Sequence, residues 1–147
     1  MGHRGNDISG AGLPRSARMI SILIVEDHAA TRRSVRRALM TMFGRSEIVE
    51  ADNASSAVDA LRSRSFSLVI CDYDLGGSYG GQVLDFIKIH RPEMVDRFVF
   101  FTGAADDVET VHHKVIDKGD ALEFSARLLS LIADLPDVAI AQDADRS

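Results

Sequence analysis

The chain is poor in cysteine, tryptophan, proline and long apolar runs. Its 147 residues include one Cys, no Trp, three Pro and two Tyr. A single thiol, Cys71, excludes an internal disulfide and a cysteine-built zinc site. It lies inside an apolar run, where a free thiol packs as a small, inert hydrophobe. No stretch approaches the roughly 18 apolar residues of a membrane-spanning helix. The N-terminal arginines are not followed by the apolar segment of a secretory signal. A cytoplasmic protein with no membrane partner is the expectation. Basic charge is also short: 17 Lys and Arg stand against 22 Asp and Glu, a formal net charge of -5. Binding to a phosphate backbone normally shows as a basic surplus, so the balance argues against nucleic acid as the main partner.

What is present is an ordinary globular composition, with 46% hydrophobic and 27% charged residues. The length fits one domain, with enough chain to bury a core. Residues 1–18 are rich in Gly and low in apolar side chains and read as a flexible extension. Residues 137–147 read as a short acidic tail, leaving a folded domain over 19–136. Within it, strand and helix patterns alternate. Strands are expected over residues 20–25, 47–51, 67–71, 97–101 and 114–117. Helices are expected over 29–43, from Asn53 or Ser55 to about Arg64, from Gln82 to about His90, and from Ala121 to Leu135. Between 106 and 113 there is room for two helical turns at most. Five strands alternating with helices imply right-handed crossovers and a doubly wound, five-stranded parallel sheet of α/β class, with a shortened or irregular fourth helix.

Strands buried on both faces read as continuous apolar runs, and four such runs lead to or end on polar residues. Glu26 and Asp27 follow Ile22-Leu23-Ile24-Val25. Asp72 follows Leu68-Val69-Ile70-Cys71. Thr102 follows Phe98-Val99-Phe100-Phe101, and Lys118 comes shortly after Val115-Ile116. In an open parallel sheet, ligands bind at the carboxyl ends of the strands. Three carboxylates, a hydroxyl and an ammonium would meet there. Neighbouring carboxylates repel and need a cation or solvent, and oxygen ligands from separate strand ends suit magnesium. An aspartate can accept a phosphoryl group as a mixed anhydride. A hydroxyl and an ammonium stabilise the charge on that group.

The same stretches, together with Glu50-Ala51-Asp52-Asn53-Ala54, Tyr73-Asp74-Leu75 after Asp72, and Gly103 after Thr102, carry a resemblance. In this order, on successive strands, they resemble the receiver domain of two-component response regulators, over roughly residues 19–135. The resemblance implies the flavodoxin-like (βα)5 fold and specific roles. Asp72 matches the phosphoacceptor. Glu26 and Asp27 match the acidic pair that binds Mg2+, with Asp72 and the backbone carbonyl of Asp74 as further ligands. Thr102 and Lys118 match the residues that hold the phosphoryl oxygens, and Gly80 matches a glycine before the third helix. The implied partners are a sensor histidine kinase or histidine phosphotransfer protein as donor, and a downstream protein that reads the output. No effector is expected in this chain, and no enzyme activity beyond the domain's own phosphorylation and slow dephosphorylation.

The departures from the family pattern are Gly119 after Lys118 in place of proline, Val115 in place of an aromatic, and a short span from Thr102 to Lys118. They cluster on the face that many receivers use for dimerisation and output, so a homodimer and a non-switching interaction module both stay open. A small phosphatase of haloacid-dehalogenase type is a third reading. It uses Asp72-Tyr73-Asp74 but leaves the Glu26-Asp27 pair unexplained. Arg32, Arg33, Arg36 and Arg37 form a basic stripe on the first helix, either solvated or a docking surface for the donor. His28 is expected at the rim of the acidic pocket, and His112 and His113 on the surface. Tyr73 and Tyr79 are expected to pack the acceptor loop.

Overall fold

The computed structural model describes residues 19–105 and 113–138. Five strands form one parallel sheet: β1 (Ile20–Val25), β2 (Ser46–Ala51), β3 (Leu68–Cys71), β4 (Phe98–Thr102) and β5 (Val115–Asp117), in spatial order β2-β1-β3-β4-β5. The helices are α1 (Ala29–Phe43), α2 (Ala54–Ser63), α3 (Gly80–His90) and α4 (Phe124–Leu131), with 3-10 turns at Pro92–Arg97 and Lys118–Glu123. This is the flavodoxin-like doubly wound order. The connections leave β1 in opposite directions on its two sides, which opens the sheet's carboxyl edge between β1 and β3.

The apolar runs explain the sheet. Every residue of β3 and β4 is buried, as parallel strands covered on both faces must be. Alternate residues feed two cores. Ile22, Ile24, Ile70, Val99 and Phe101 pack with Leu39, Phe43 and Leu128 on one face. Leu23, Val25, Val69, Phe98 and Phe100 pack with Leu61, Val83 and Ile87 on the other. Pairing of Val25 with Cys71, Cys71 with Phe100, and Thr102 with Asp117 brings the strand ends level.

Local signals set the helix ends. Asn53 accepts the Ser56 N–H at 2.8 Å and caps α2. Gly44 closes α1 with φ +58° and an N–H bond to Met40. The N-cap of α1 is His28, which makes no side-chain cap bond. The third helix begins at Gly80, two residues before the expected Gln82. The Gly80 N–H donates to the Tyr73 carbonyl at 2.6 Å.

The last helix departs more from expectation. It starts at Phe124 rather than Ala121, because the Asp117 carboxylate accepts the Gly119 N–H at 2.7 Å and bends the chain into a tight 3-10 turn. Leu122, which a helix running from Ala121 would set in phase with Leu128 and Ile132, is 104% exposed as a result. Beyond α4, Ile132, Leu135 and Val138 are buried all the same. The expected tail from 137 also begins inside the packed region. Asp137 pairs with both terminal nitrogens of Arg97 at 3.0 and 3.1 Å. His113 is half-buried rather than simply on the surface. Its Nε2 lies 2.7 Å from the Phe98 carbonyl oxygen, and its ring meets Phe98 and Phe100 edge-on. Burial pushes its pKa down, against the pull of that backbone bond. The expected short fourth helix and His112 lie outside the described residues. No helix among the described residues is long and apolar enough to cross a membrane.

Candidate functional site

The sheet ladder delivers the polar residues to one edge. The Glu26 N–H donates to Ala51 at 3.0 Å and the Asp72 N–H to Val25 at 2.9 Å, so each residue leaves its strand at the carboxyl end. Lys118 follows β5 directly. Its Nζ donates to Asp72 Oδ2 at 2.8 Å and stands 2.9 Å from Glu26 Oε1. The Glu26 and Asp72 side chains are only 3% and 6% exposed. Thr102 is buried beside them, and its Oγ accepts the Ala104 N–H at 3.1 Å. A cavity of about 480 Å³ opens here, lined by Asp27, Asp72, Asp74, Thr102 and Lys118, with His28, Gly103 and Ala104 also on its wall. The structure thus brings together Glu26, Asp27, Asp72, Asp74, Thr102 and Lys118, six residues expected from the sequence to form one site.

The loop after β3 folds around this cavity. The Asp74 N–H points to Asp72 Oδ1 at a long 3.4 Å, and the Asp74 carboxylate accepts the Gly76 N–H at 3.0 Å. Gly76 has φ +82°, and a Cβ there would stand 3.3 Å from Asp27 Oδ2, so this turn favours glycine. Ser78 ties the loop to α2 by accepting the Ala54 N–H at 3.2 Å. Tyr73 packs edge-on against Phe100 and beside the more exposed Tyr79.

One ammonium bridges two buried carboxylates, Glu26 and Asp72, and the electrostatics reflect it. Burial raises the Glu26 pKa above its ordinary value, opposed by the hydrogen bond from Lys118 and the His28 N–H. Burial alone would lower the Lys118 pKa, but its bonds to Asp72 and Glu26 outweigh it and the net shift is upward. Burial, reinforced by the charges of Asp72 and Glu26, pushes the Cys71 thiol well up. Cys71 is therefore a neutral thiol, with its Sγ 3.1 Å from the Asp72 carbonyl oxygen.

The donor set fits a hard divalent cation. Asp27 Oδ1 is buried without a hydrogen-bond partner, an acceptor whose desolvation is uncompensated by the protein alone. The nearest cationic candidate, His28 Nδ1, is 3.3 Å away but outside hydrogen-bond geometry. Ligand atoms of Glu26, Asp27 and His28 all lie within 4.8 Å of one another.

Sequence reasoning missed two supporting residues. Arg32, read as part of a surface stripe, donates from Nη1 to the Glu26 carbonyl and from Nε to Glu50, both at 2.8 Å. Arg36 also pairs with Glu50. The stripe is therefore split: Arg32 and Arg36 are half-buried, and Arg33 and Arg37 stay exposed, beside Met40. No sequence spacing signals a contact from α1 back to the preceding loop. Asp117 was the other omission, although an Asp two residues before Gly is a recognisable turn signal.

Comparison with known proteins agrees with this architecture. A family model described as the response regulator receiver domain matches residues 22–124. The response regulator protein FleR of Pseudomonas aeruginosa is 34% identical over 85 residues, 58% of this chain but 18% of FleR, so the chain spans less than a fifth of that relative. Among solved structures, the signal receiver domain of an HD domain-containing protein from Pseudomonas fluorescens Pf-5 superposes with a TM-score of 0.65 at 20% identity, covering 80% of this chain and 97% of that one. The non-phosphorylated HemR receiver domain of Leptospira biflexa gives 0.61 at 24% identity, covering 77% and 94%. At these identities the two structures speak for the fold alone. The family match, on a sheet whose carboxyl edge gathers the residues described above, leads to one conclusion: the chain belongs to the response regulator receiver domain family of two-component signalling.

Proposed function

We propose that Asp72 accepts a phosphoryl group from a phosphohistidine on a sensor kinase or phosphotransfer protein, and that a downstream protein partner reads the phosphorylated form. The observation that carries this is the position of Lys118 Nζ, 2.8 Å from Asp72 Oδ2 at the mouth of an otherwise acidic cavity. A carboxylate oxygen of Asp72 attacks phosphorus. The new O–P bond forms as the donor P–N bond breaks, and the bonding pair returns to the imidazole. Lys118 holds Asp72 before transfer, and its ammonium and the Thr102 hydroxyl then serve the phosphoryl oxygens. Asp27, Asp72 and the Asp74 carbonyl, with Glu26 behind them, would hold magnesium, which neutralises charge on the transferring group. Water hydrolyses the acyl phosphate, releasing inorganic phosphate and returning Asp72 to its carboxylate; in this reading that step resets a signalling module.

The test is intact-protein mass spectrometry after incubation with acetyl phosphate and Mg2+. Gain of one phosphoryl group in wild type, absent in Asp72→Asn and without metal, is the expected result. No gain in wild type, with acetyl phosphate or a phosphohistidine donor, would contradict the proposal. The phosphatase reading has weaker support. It needs a further acidic pair serving the site after the lysine, whereas Asp120 and Glu123 both turn to Arg127, at 3.5 and 3.8 Å. A non-switching interaction module draws on Gly119 and Val115. It predicts that Asp72→Asn binds its partner as tightly as wild type.

A further inference from the structure

His28 stands directly beside the acidic pair. Its imidazole Nδ1 is 3.3 Å from Asp27 Oδ1 and 3.5 Å from Glu26 Oε2. Its backbone N–H donates to Glu26 Oε2 at 3.1 Å, which anchors the residue over the acidic pair. The side chain is 74% exposed, and it lines the same cavity as Asp27 and Asp72. Asp27 Oδ1, the atom nearest its ring, is the buried oxygen with no hydrogen-bond partner. Adjacent ligands on an octahedral ion with bonds near 2.1 Å stand about 3 Å apart. The separations here are slightly longer than that, within reach of a small rotation of an exposed ring.

We propose that His28 is a nitrogen ligand to the cation held by Asp27, and that it biases this site toward first-row transition ions over magnesium. The inference rests on the acidic pair being a cation site. Oxygen donors alone suit magnesium, whereas an imidazole nitrogen favours nickel and zinc strongly, manganese least of the first-row ions, and adds little for magnesium. The ring approaches from the solvent side of the cavity, so it supplies this ligand without displacing the bonds of Lys118 to Asp72 and Glu26.

The probe is Mn2+ added to the full chain, with free ion counted by electron paramagnetic resonance and bound nitrogen read by spin-echo modulation. Wild type is expected to bind Mn2+ with imidazole nitrogen modulation, and Asp27→Asn to lose the ion. His28→Gln, an exposed substitution that leaves the core intact, is expected to lose the modulation and bind Mn2+ roughly tenfold more weakly. Its Mg2+ affinity should stay within about twofold of wild type. Mn2+ bound in wild type and lost in Asp27→Asn, but without nitrogen modulation, would overturn the role of His28 and leave the cation site standing. Modulation that persists in His28→Gln would assign the nitrogen to another residue, with the same consequence. No Mn2+ binding by wild type would overturn both the ligand and the site.

Discussion

Gly80 and Asp72 are packed so closely that a Cβ on Gly80 would collide with the Asp72 carbonyl oxygen, while also standing 3.0 Å from Cys71 Sγ and from Phe100. The start of α3 is thus pressed against the backbone of Asp72. Gly80→Ala is expected to destabilise the domain by about 1–3 kcal/mol, the usual effect of overpacking. At Gly77, in the same loop, a Cβ would meet nothing within 4 Å. Gly77→Ala should be neutral or stabilising by up to about 1 kcal/mol. Urea denaturation of the two variants checks the contrast, and equal losses would count against it.

Glu26 gives a pH signature. Its pKa is raised in the fold from an ordinary value of 4.5, chiefly by burial. The folded state therefore holds this proton more tightly than the unfolded chain does. The resulting stability is fully present below pH 4.5 and is lost as pH rises through the folded pKa. Glu26→Gln removes that loss. It should be more stable than wild type at neutral pH in metal-free buffer, with the difference shrinking on acidification towards the ordinary carboxylate pKa. Thermal unfolding across pH measures this, and a difference that grows on acidification would contradict it.

The turn after β5 makes a prediction about Lys118. Asp117 holds the Gly119 N–H and so fixes the backbone from which Lys118 reaches Asp72. Asp117→Ala should lose about 0.5–1.5 kcal/mol for the missing hydrogen bond and slow phosphorylation by acetyl phosphate. Asp117→Asn keeps an acceptor oxygen and should restore both. Equal rates in Asp117→Ala and wild type would show that Lys118 is placed without this turn.

Deleting the ammonium tests the charge balance. Lys118→Met leaves Glu26 and Asp72 as buried neighbours with no cation between them, so their repulsion is unrelieved. The variant should phosphorylate far more slowly than wild type. In metal-free buffer it should also gain stability on mild acidification, as one carboxylate takes up a proton. A stability that fails to rise on mild acidification would argue that the two carboxylates are not coupled.

The sheet was legible because its strands are buried on both faces and so read as unbroken apolar runs, as in Leu68-Val69-Ile70-Cys71. The polar residues that end those runs were legible for the same reason: a carboxylate after four apolar residues can only be at the edge. What escaped was local or long-range geometry. The turn at Asp117 and Gly119 overrode the helical spacing of Leu122. Val138 and Asp137 look like tail residues until Arg97 and the core are placed beside them. His113 looks like a surface residue until the Phe98 carbonyl is known to face it. The contact of Arg32 with the Glu26 loop depends on a helix packing back on its own entry turn, which no periodicity encodes.

If Asp72 carries the phosphoryl group, the acyl phosphate can be trapped directly. Borohydride reduces it to the alcohol, leaving homoserine in place of the phosphorylated aspartate. Wild-type protein treated with acetyl phosphate and Mg2+, reduced and digested, should show homoserine at position 72 and nowhere else. Homoserine at Asp27 or Asp74 instead, or none at any position in protein shown to be folded, would mean that Asp72 is not the acceptor.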